Sequence, residues 1–408
     1  MSDIRARDTQ IVRALASRCL ELALSPEYEA RRRRWRDVNE LRRPDRAPVW
    51  CRPARCWQEI IPQSSLDCED PTCRAMEYAL RQNLYKHEVG DDHIFEPWWG
   101  VPVAWKCSLE HTWGIPIPPQ SEATDKGGFR YDPPIKSPED YDRVQVPHFE
   151  ADMEQTQRSA SQVQDILGES MPVQITCAPP LSPTFGTIHY HLRGMAAMTE
   201  DMAFCPERVH RCMAKLTEAT LAACRAAEET GLLTTNHHEP MYCSDPVNGN
   251  PGQGQVRLNN LWTSANSQEY DHISPAMLEE FLLSYQKVVF QQFGRTQYGC
   301  CENLTRKIDI VLGIPNLRIF VCSAWTDLDR VIEACGDRYT IMWRQPATEV
   351  VRHDGLEPIR RHLEDGLRKL RGCHYQVVLR ELETLSGHPN RLREWADIAK
   401  ELAAEYAT

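Results

Sequence analysis

Two adjacent thiols and a carboxylate, Cys300, Cys301 and Glu302, form the stretch of the sequence best suited to chemistry. They follow a short apolar-leaning run that ends at Tyr298, and residues 296–325 are predicted to form a strand, a loop, a helix and a second strand. The thiols are therefore predicted to lie at the carboxyl-terminal end of a strand, where (β/α) barrels carry their chemistry. Free cysteines often behave as small buried hydrophobic residues, so a buried core pair is the alternative.

The two thiols are predicted to point in opposite directions, because successive side chains of an extended chain alternate between its two faces. We predict that Cys301 faces the site and that Cys300 faces the wall of the fold. Gly299 precedes them and leaves the reverse assignment open, since glycine adopts backbone conformations that other residues avoid.

Other polar and aromatic groups also follow predicted strands, and these are His237, His238, Trp325, Arg344, Glu381 and Glu383. Positions of this kind converge on one mouth when a barrel closes. On this basis we predict His238, Glu302 and Arg344 as catalytic residues. The simpler alternative is that the histidines are polar loop residues and that the glutamates pair with nearby arginines.

A second group of side chains is suited to hold a small substrate. The predicted substrate-binding residues are Arg52, Arg55, Trp98, Trp99, His237, Glu269 and Trp325. Guanidinium groups pair well with carboxylates, and tryptophan faces suit flat ligands. Core packing is an equally good explanation for the paired tryptophans.

The composition excludes several classes of protein. The chain has 408 residues, of which 41% are hydrophobic, and its formal net charge is -11. This charge argues against general nucleic-acid binding, and the lack of a run of about 18 apolar residues argues against a membrane span. The amino terminus carries no hydrophobic signal region, so a cytoplasmic location is expected. There the 16 cysteines are expected to be reduced, and the metal-binding patterns CxxC and HExxH do not occur.

Alternating strand and helix patterns predict an α/β fold, a (β/α)8 TIM barrel, over residues 45–408. Residues 1–44 are predicted to form a helical extension packed outside the barrel. Ser274 followed by Pro275 predicts the start of a helix over 274–292, because serine caps helices and proline suits the first helical position. The basic run at 31–34 is interpreted as a solvated helix face, with an anion or partner contact as the alternative.

Six segments of the chain occur in an order that carries a family resemblance, and these are 134–144, 172–185, 204–209, 273–285, 301–303 and 389–402. In this order they resemble the uroporphyrinogen decarboxylase superfamily, which includes corrinoid-linked methyltransferases. The resemblance spans roughly residues 45–405 and is most similar to a long-chain bacterial subgroup. The order of the segments is more specific than any one of them.

The resemblance implies a methyltransferase that moves a methyl group between a small-molecule substrate and a corrinoid or a thiol. It implies Zn2+ bound by Cys301, with Glu381 and Glu383 as the nearest ligands where a later family cysteine falls. A separate corrinoid protein is the implied partner. Gly299 stands where the methyltransferase branch has a histidine, so the sequence matches half of the family's metal site.

Two other functions remain open at this point. Arg52 and Arg55 echo the arginine pair of the decarboxylase branch at a different spacing. A cofactor-free decarboxylase or lyase acting on a small carboxylic acid, with His238 as general acid, is therefore the first alternative. A non-catalytic ligand-binding barrel is the second. No nucleic-acid or membrane partner is expected, and a homodimer is left open.

Overall fold

Twelve strands occur in the residues that the structure, a computed structural model, describes, namely 2–118, 121–122, 129–236, 246–247 and 254–407. They are β1 (Val49–Cys51), β2 (Trp99–Pro102), β3 (Ala104–Cys107), β4 (Ser121–Glu122), β5 (Phe129–Arg130), β6 (Phe149–Asp152), β7 (Val173–Thr176), β8 (Trp262–Ala265), β9 (Arg295–Tyr298), β10 (Leu317–Cys322), β11 (Thr340–Arg344) and β12 (His374–Leu379). Six of them form one parallel sheet in the order β1-β12-β11-β10-β9-β8.

The other strands form three separate pairs. β2 and β7 pair in parallel, whereas β3 with β6 and β4 with β5 pair antiparallel. Hydrogen bonds from a residue before β2 and from residues 234–236 reach β1 and β8, the two edge strands of the large sheet. At one edge the Asp92 N–H donates to the Val49 carbonyl at 2.7 Å; on the other side the Thr234 N–H donates to the Cys177 carbonyl at 3.1 Å, and the Asn236 side chain contacts the backbone of Trp262.

The predicted α/β class is confirmed as a curled, parallel six-stranded half-barrel surrounded by helices. Closure into an eight-stranded barrel stays a prediction, and so does the domain boundary near residue 45.

The described helices are α1 (Ser2–Ala23), α2 (Pro26–Asn39), α3 (Trp57–Ile60), α4 (Pro71–Val89), α5 (Met153–Leu167), α6 (Phe185–Arg193), α7 (Met195–Phe204), α8 (Pro206–Glu229), α9 (Pro275–Leu278), α10 (Ser284–Phe290), α11 (Ile308–Leu312), α12 (Leu328–Cys335), α13 (Ala347–Val351), α14 (Glu357–Leu370) and α15 (Arg391–Glu405). Among these helices, none combines the length and the apolar composition that a transmembrane segment requires.

Local sequence signals account for where several helices begin. The Ser274 hydroxyl accepts a hydrogen bond from the Met277 N–H at 3.2 Å, as the capping signal predicted. The helix over this region contains one π-helical stretch, Glu279–Leu283, between α9 and α10. Asp70 caps α4 in the same way, and Gly90 ends that helix at a φ of 74°.

The large sheet is buried on both faces, as a parallel sheet covered by helices requires. Phe320, Trp343 and Val377 belong to a hydrophobic cluster that also contains residues of α14 and α15. The alternate residues Val321 and Met342 belong to a second cluster that includes residues of α1 and α4. The sheet is therefore a rigid wall on which strand ends can hold side chains in place.

The end of α2 contacts the amino-terminal ends of the large sheet's strands. The Asn39 carbonyl accepts a hydrogen bond from Arg295 at 2.6 Å, and the Val38 carbonyl accepts one from Thr340 at 2.8 Å. Gln376 contacts the Asn39 side chain at 3.1 Å. Because the N-terminal helices occupy this end of the sheet, the carboxyl-terminal strand ends are where a site can form.

Candidate active site

The thiol pair follows β9 at the carboxyl-terminal end of the sheet. Gly299 makes the turn, with a φ of 115°, and a Cβ at this position would come within 2.8 Å of the Val321 Cβ. The turn therefore depends on glycine. It brings the Sγ atoms of Cys300 and Cys301 to 3.4 Å from each other, and both side chains are half-buried. The prediction that the two thiols point to opposite sides is wrong, because the chain is no longer extended after Gly299.

Glu302 fixes the position of the loop that carries Cys300 and Cys301, called the thiol loop. One carboxylate oxygen accepts hydrogen bonds from the Ser267 N–H at 2.7 Å and the Ser267 hydroxyl at 3.1 Å. The other accepts from the Cys300 N–H at 2.8 Å. The Ser323 hydroxyl donates to the Glu302 carbonyl at 2.7 Å. Glu302 is 3% exposed. Its described contacts are therefore buried, and they position the thiol loop.

An arginine–glutamate pair completes the cluster from two other strand ends. Arg344, the last residue of β11, is buried and donates to the Cys300 carbonyl at 2.8 Å and to the Glu381 carboxylate at 2.9 Å. The same Glu381 oxygen accepts a hydrogen bond from the Cys301 thiol at 3.3 Å. Glu381 lies two residues beyond β12 at a φ of 61°, a conformation that is uncommon for residues other than glycine and that often occurs at functional sites.

The surroundings of the pair shift the pKa values of the two thiols in opposite directions. The contact with Cys301, and then the guanidinium groups of Arg344 and Arg380, lower the pKa of Cys300, although burial opposes this. The contact with Cys300, together with burial and the Glu381 carboxylate, raises the pKa of Cys301. Cys300 is therefore the more acidic thiol of the pair.

The predicted zinc ligands do not come together as a set. The Cys301 sulfur contacts the Glu381 carboxylate, but that carboxylate is bound by Arg344. Glu383 pairs with Arg55 at 3.2 Å instead. Among the residues that the structure describes, no group of three His, Cys, Asp or Glu side chains is arranged to hold a metal ion. The described residues therefore do not fit the predicted three-ligand zinc site.

A cavity of about 640 Å3 lies along β2 and β7. Trp98, Trp99 and Trp105 give it aromatic walls, while His93 and Asn236 contribute polar groups. Its described lining does not include the thiols or the Arg344–Glu381 pair. Of the predicted site residues, the structure thus brings Trp98 and Trp99 to this cavity and Cys301, Arg344 and Glu381 to a separate cluster.

The remaining predicted substrate-binding residues lie in different surroundings. Glu269 is buried, and one carboxylate oxygen accepts hydrogen bonds from Thr187 at 2.8 Å and from Gln268 at 3.0 Å. Trp325 is 68% exposed, so it does not wall an enclosed pocket. Arg52 follows β1 and is exposed. His237 and His238 lie outside the described residues.

Comparisons with known proteins address the fold. No family model matches the chain, and no curated protein matches it. A solved structure, a methyltransferase from Methanosarcina mazei, has a similar fold, with a TM-score of 0.52 and 13% sequence identity over 91% of this chain and 98% of that chain. At this identity the likeness shows the fold and not the activity.

Sequence reasoning missed two residues that hold the cluster, Ser267 and Ser323. Both contact Glu302, and both follow closely after a strand, β8 and β10 respectively. The rule that residues just after strands carry chemistry, which identified Cys301 and Arg344, therefore also applies to these two serines. They were missed because a serine after a strand is common and its partner is distant in sequence.

Proposed function

We propose that this chain is a methyl-group transferase and that the cluster of Cys300, Cys301, Arg344 and Glu381 is its reaction centre. The observation that carries the proposal is the contact between the paired thiols and the buried arginine–glutamate pair at the carboxyl-terminal end of the sheet. Chemistry in barrel-like folds sits at this end. The shared fold with a protein named a methyltransferase agrees with the proposal.

In the proposed reaction the Cys300 sulfur is the nucleophile. Its lone pair forms a bond to the methyl carbon of a small donor as the bond between that carbon and the leaving group breaks, and the leaving group departs with the electron pair. A second nucleophile then attacks the same carbon and the sulfur leaves as a thiolate. A corrinoid on a partner protein, or a small thiol, is the class of acceptor that we propose.

The neighbouring residues have separate roles in this scheme. The Cys301 thiol can donate its hydrogen bond either to the Cys300 sulfur or to the Glu381 carboxylate. It can therefore stabilise the Cys300 sulfur while that sulfur is negatively charged and turn to Glu381 when the charge is lost. The Arg344 guanidinium holds the Cys300 carbonyl and Glu381 at fixed positions. It also favours negative charge on the departing sulfur, since a cation stabilises a nearby anion most strongly where water is excluded.

The experiment uses methylcobalamin with a deuterated methyl group as donor, under anaerobic conditions. We expect the visible spectrum to report loss of the methyl group and the tryptic peptide 296–306 to carry the label. Cys300→Ser should abolish labelling, since an alcohol is a far weaker nucleophile than a thiolate. Cys373→Ser is the matched control, because Cys373 is also half-buried but lies before β12, at the opposite end of the sheet.

Equal labelling of wild type and Cys300→Ser would contradict the proposal, and so would labelling spread over all half-buried cysteines.

A second candidate function, ligand binding without catalysis, is favoured by the tryptophan-lined cavity. A flat aromatic compound that binds there should change the intrinsic tryptophan fluorescence, and Trp98→Ala should weaken that response. The Cys300→Ser variant should respond like the wild type, because the thiols do not line the cavity in the described residues. Binding that persists in Cys300→Ser and weakens in Trp98→Ala, while the wild type shows no labelling, would favour this function over methyl transfer.

A further inference from the structure

We propose that Cys300 and Cys301 form an oxidative modification site, at which a peroxide joins the two sulfurs into a disulfide between adjacent residues. The disulfide would reversibly remove the nucleophile of the reaction centre. That consequence rests on the proposed function, whereas the disulfide itself does not.

The geometry of the thiol loop carries the inference. The two Sγ atoms are 3.4 Å apart, while a disulfide bond is about 2.0 Å long. A gap of this size closes when the two side chains rotate and the peptide between them adjusts. Both side chains are half-buried, so a small oxidant can reach them, whereas most of the other described cysteines are buried.

The chemistry needs a peroxide and no other reagent. The first sulfur attacks one oxygen of the peroxide, the O–O bond breaks, and a sulfenic acid forms. The second sulfur then attacks the sulfenic sulfur, the S–S bond forms, and water leaves. In sum, two thiols lose two hydrogens, the sulfurs are oxidised, and the peroxide is reduced to two molecules of water.

The close spacing of the residues makes the modification reversible. The Cα atoms of neighbouring residues are about 3.8 Å apart across a trans peptide, which is shorter than the roughly 4.4–6.8 Å found in ordinary disulfides. Disulfides that deviate from the usual geometry are more easily reduced. Arg344 donates to the Cys300 carbonyl, a contact that does not involve either sulfur and that the new bond leaves in place. The hydrogen bond from the Cys301 thiol to Glu381 is lost with the thiol proton and forms again on reduction.

The test is a titration of the reduced, full-length protein with hydrogen peroxide, followed by alkylation and tryptic digestion without reductant. Trypsin releases both thiols in peptide 296–306, which contains no other cysteine. We expect this peptide to lose two hydrogens and to escape alkylation, and dithiothreitol should restore both properties. Peptide 194–208 carries the half-buried Cys205 alone and should remain alkylated at the same peroxide concentration.

Single variants make the assignment specific. In Cys300→Ser and Cys301→Ser the loss of two hydrogens should disappear from peptide 296–306. The proposal is overturned if the wild-type peptide stays reduced, goes directly to sulfinic acid, or forms a disulfide with another peptide.

A comparison with methyl transfer separates the two proposals. If the disulfide forms and methyl transfer falls in proportion to it, both stand. Methyl transfer that survives complete disulfide formation refutes Cys300 as the nucleophile, while the modification site stands. A reduced protein that shows no methyl transfer refutes the proposed function, and the peptide masses still decide on the modification site.

Discussion

Replacing Glu302 with glutamine distinguishes a positioning residue from a catalytic one. The carboxylate accepts three hydrogen bonds, two from Ser267 and one from the Cys300 N–H. In the Glu302→Gln variant the amide oxygen can still accept from Ser267. The amide nitrogen then faces the Cys300 N–H, which places two donors against each other.

The expected cost follows from these contacts. A buried N–H left without an acceptor costs about 1–3 kcal/mol, and hydrogen bonds to a charged group are worth roughly 1 kcal/mol more than those to a neutral one. With one bond lost and two weakened, we expect Glu302→Gln to lower the free energy of unfolding by about 3–5 kcal/mol. Because the lost bond holds Cys300, the reactivity of the thiol pair should change as well.

Urea unfolding followed by tryptophan fluorescence measures the stability, and the rate of reaction with Ellman's reagent measures the thiols. Glu333→Gln is the control, since Glu333 is exposed on α12 and such a change is expected to stay within about 0.5 kcal/mol. A Glu302→Gln protein that is as stable as the wild type, with unchanged thiol reactivity but no methyl transfer, would refute this reasoning. Glu302 would then act in catalysis, as the sequence alone suggested.

Two further predictions concern buried contacts away from the thiols. His189 is bonded at 2.6 Å to both Tyr141 and Tyr270, and burial lowers its pKa to about 3. The folded protein therefore binds fewer protons than the unfolded chain between pH 6.5 and 3. The free energy of unfolding should thus decrease as the pH is lowered through that window, by roughly 2 kcal/mol at pH 5. In His189→Gln it should depend less on pH. In α14, Gly366 lies against the Trp343 ring with no room for a Cβ. Gly366→Ala should thus destabilise the protein by about 1–3 kcal/mol, although alanine usually stabilises a helix, and a rise in the urea midpoint would contradict this.

The fold class could be predicted because its signals are local. Alternation of strand and helix patterns, the cap at Ser274 and the buried run Leu317–Cys322 each depend on neighbouring residues, and each appears in the structure as predicted. The basic run at 31–34 was not predictable in this way. Arg31 and Arg34 are buried, and the partners of Arg34 include Asp92, far along the chain. The predicted solvated face is therefore wrong for these two residues.

The candidate site was only partly predictable, for the same reason. The rule that strand ends carry chemistry identified Cys301, Arg344 and Glu381, which do come together. Pairing of the glutamates with nearby arginines was the simpler alternative, and the structure shows it, with Glu381 bound by Arg344 and Glu383 bound by Arg55. A carboxylate near a thiol in a predicted mouth is compatible with a metal ligand or an ion pair, and only the position of the arginine distinguishes them.

The curvature of the sheet is what allows the cluster to exist. Neighbouring strands lie about 4.8 Å apart, so strands three positions apart in a flat sheet are separated by roughly 14 Å. β9 and β12 have this separation in the strand order, yet the Cys301 sulfur after β9 lies 3.3 Å from the Glu381 carboxylate after β12. The strand ends must therefore bend towards each other around a common mouth. Arg344, from β11 between them, bridges the thiol loop and Glu381, so the cluster depends on the curl of the sheet as much as on its residues.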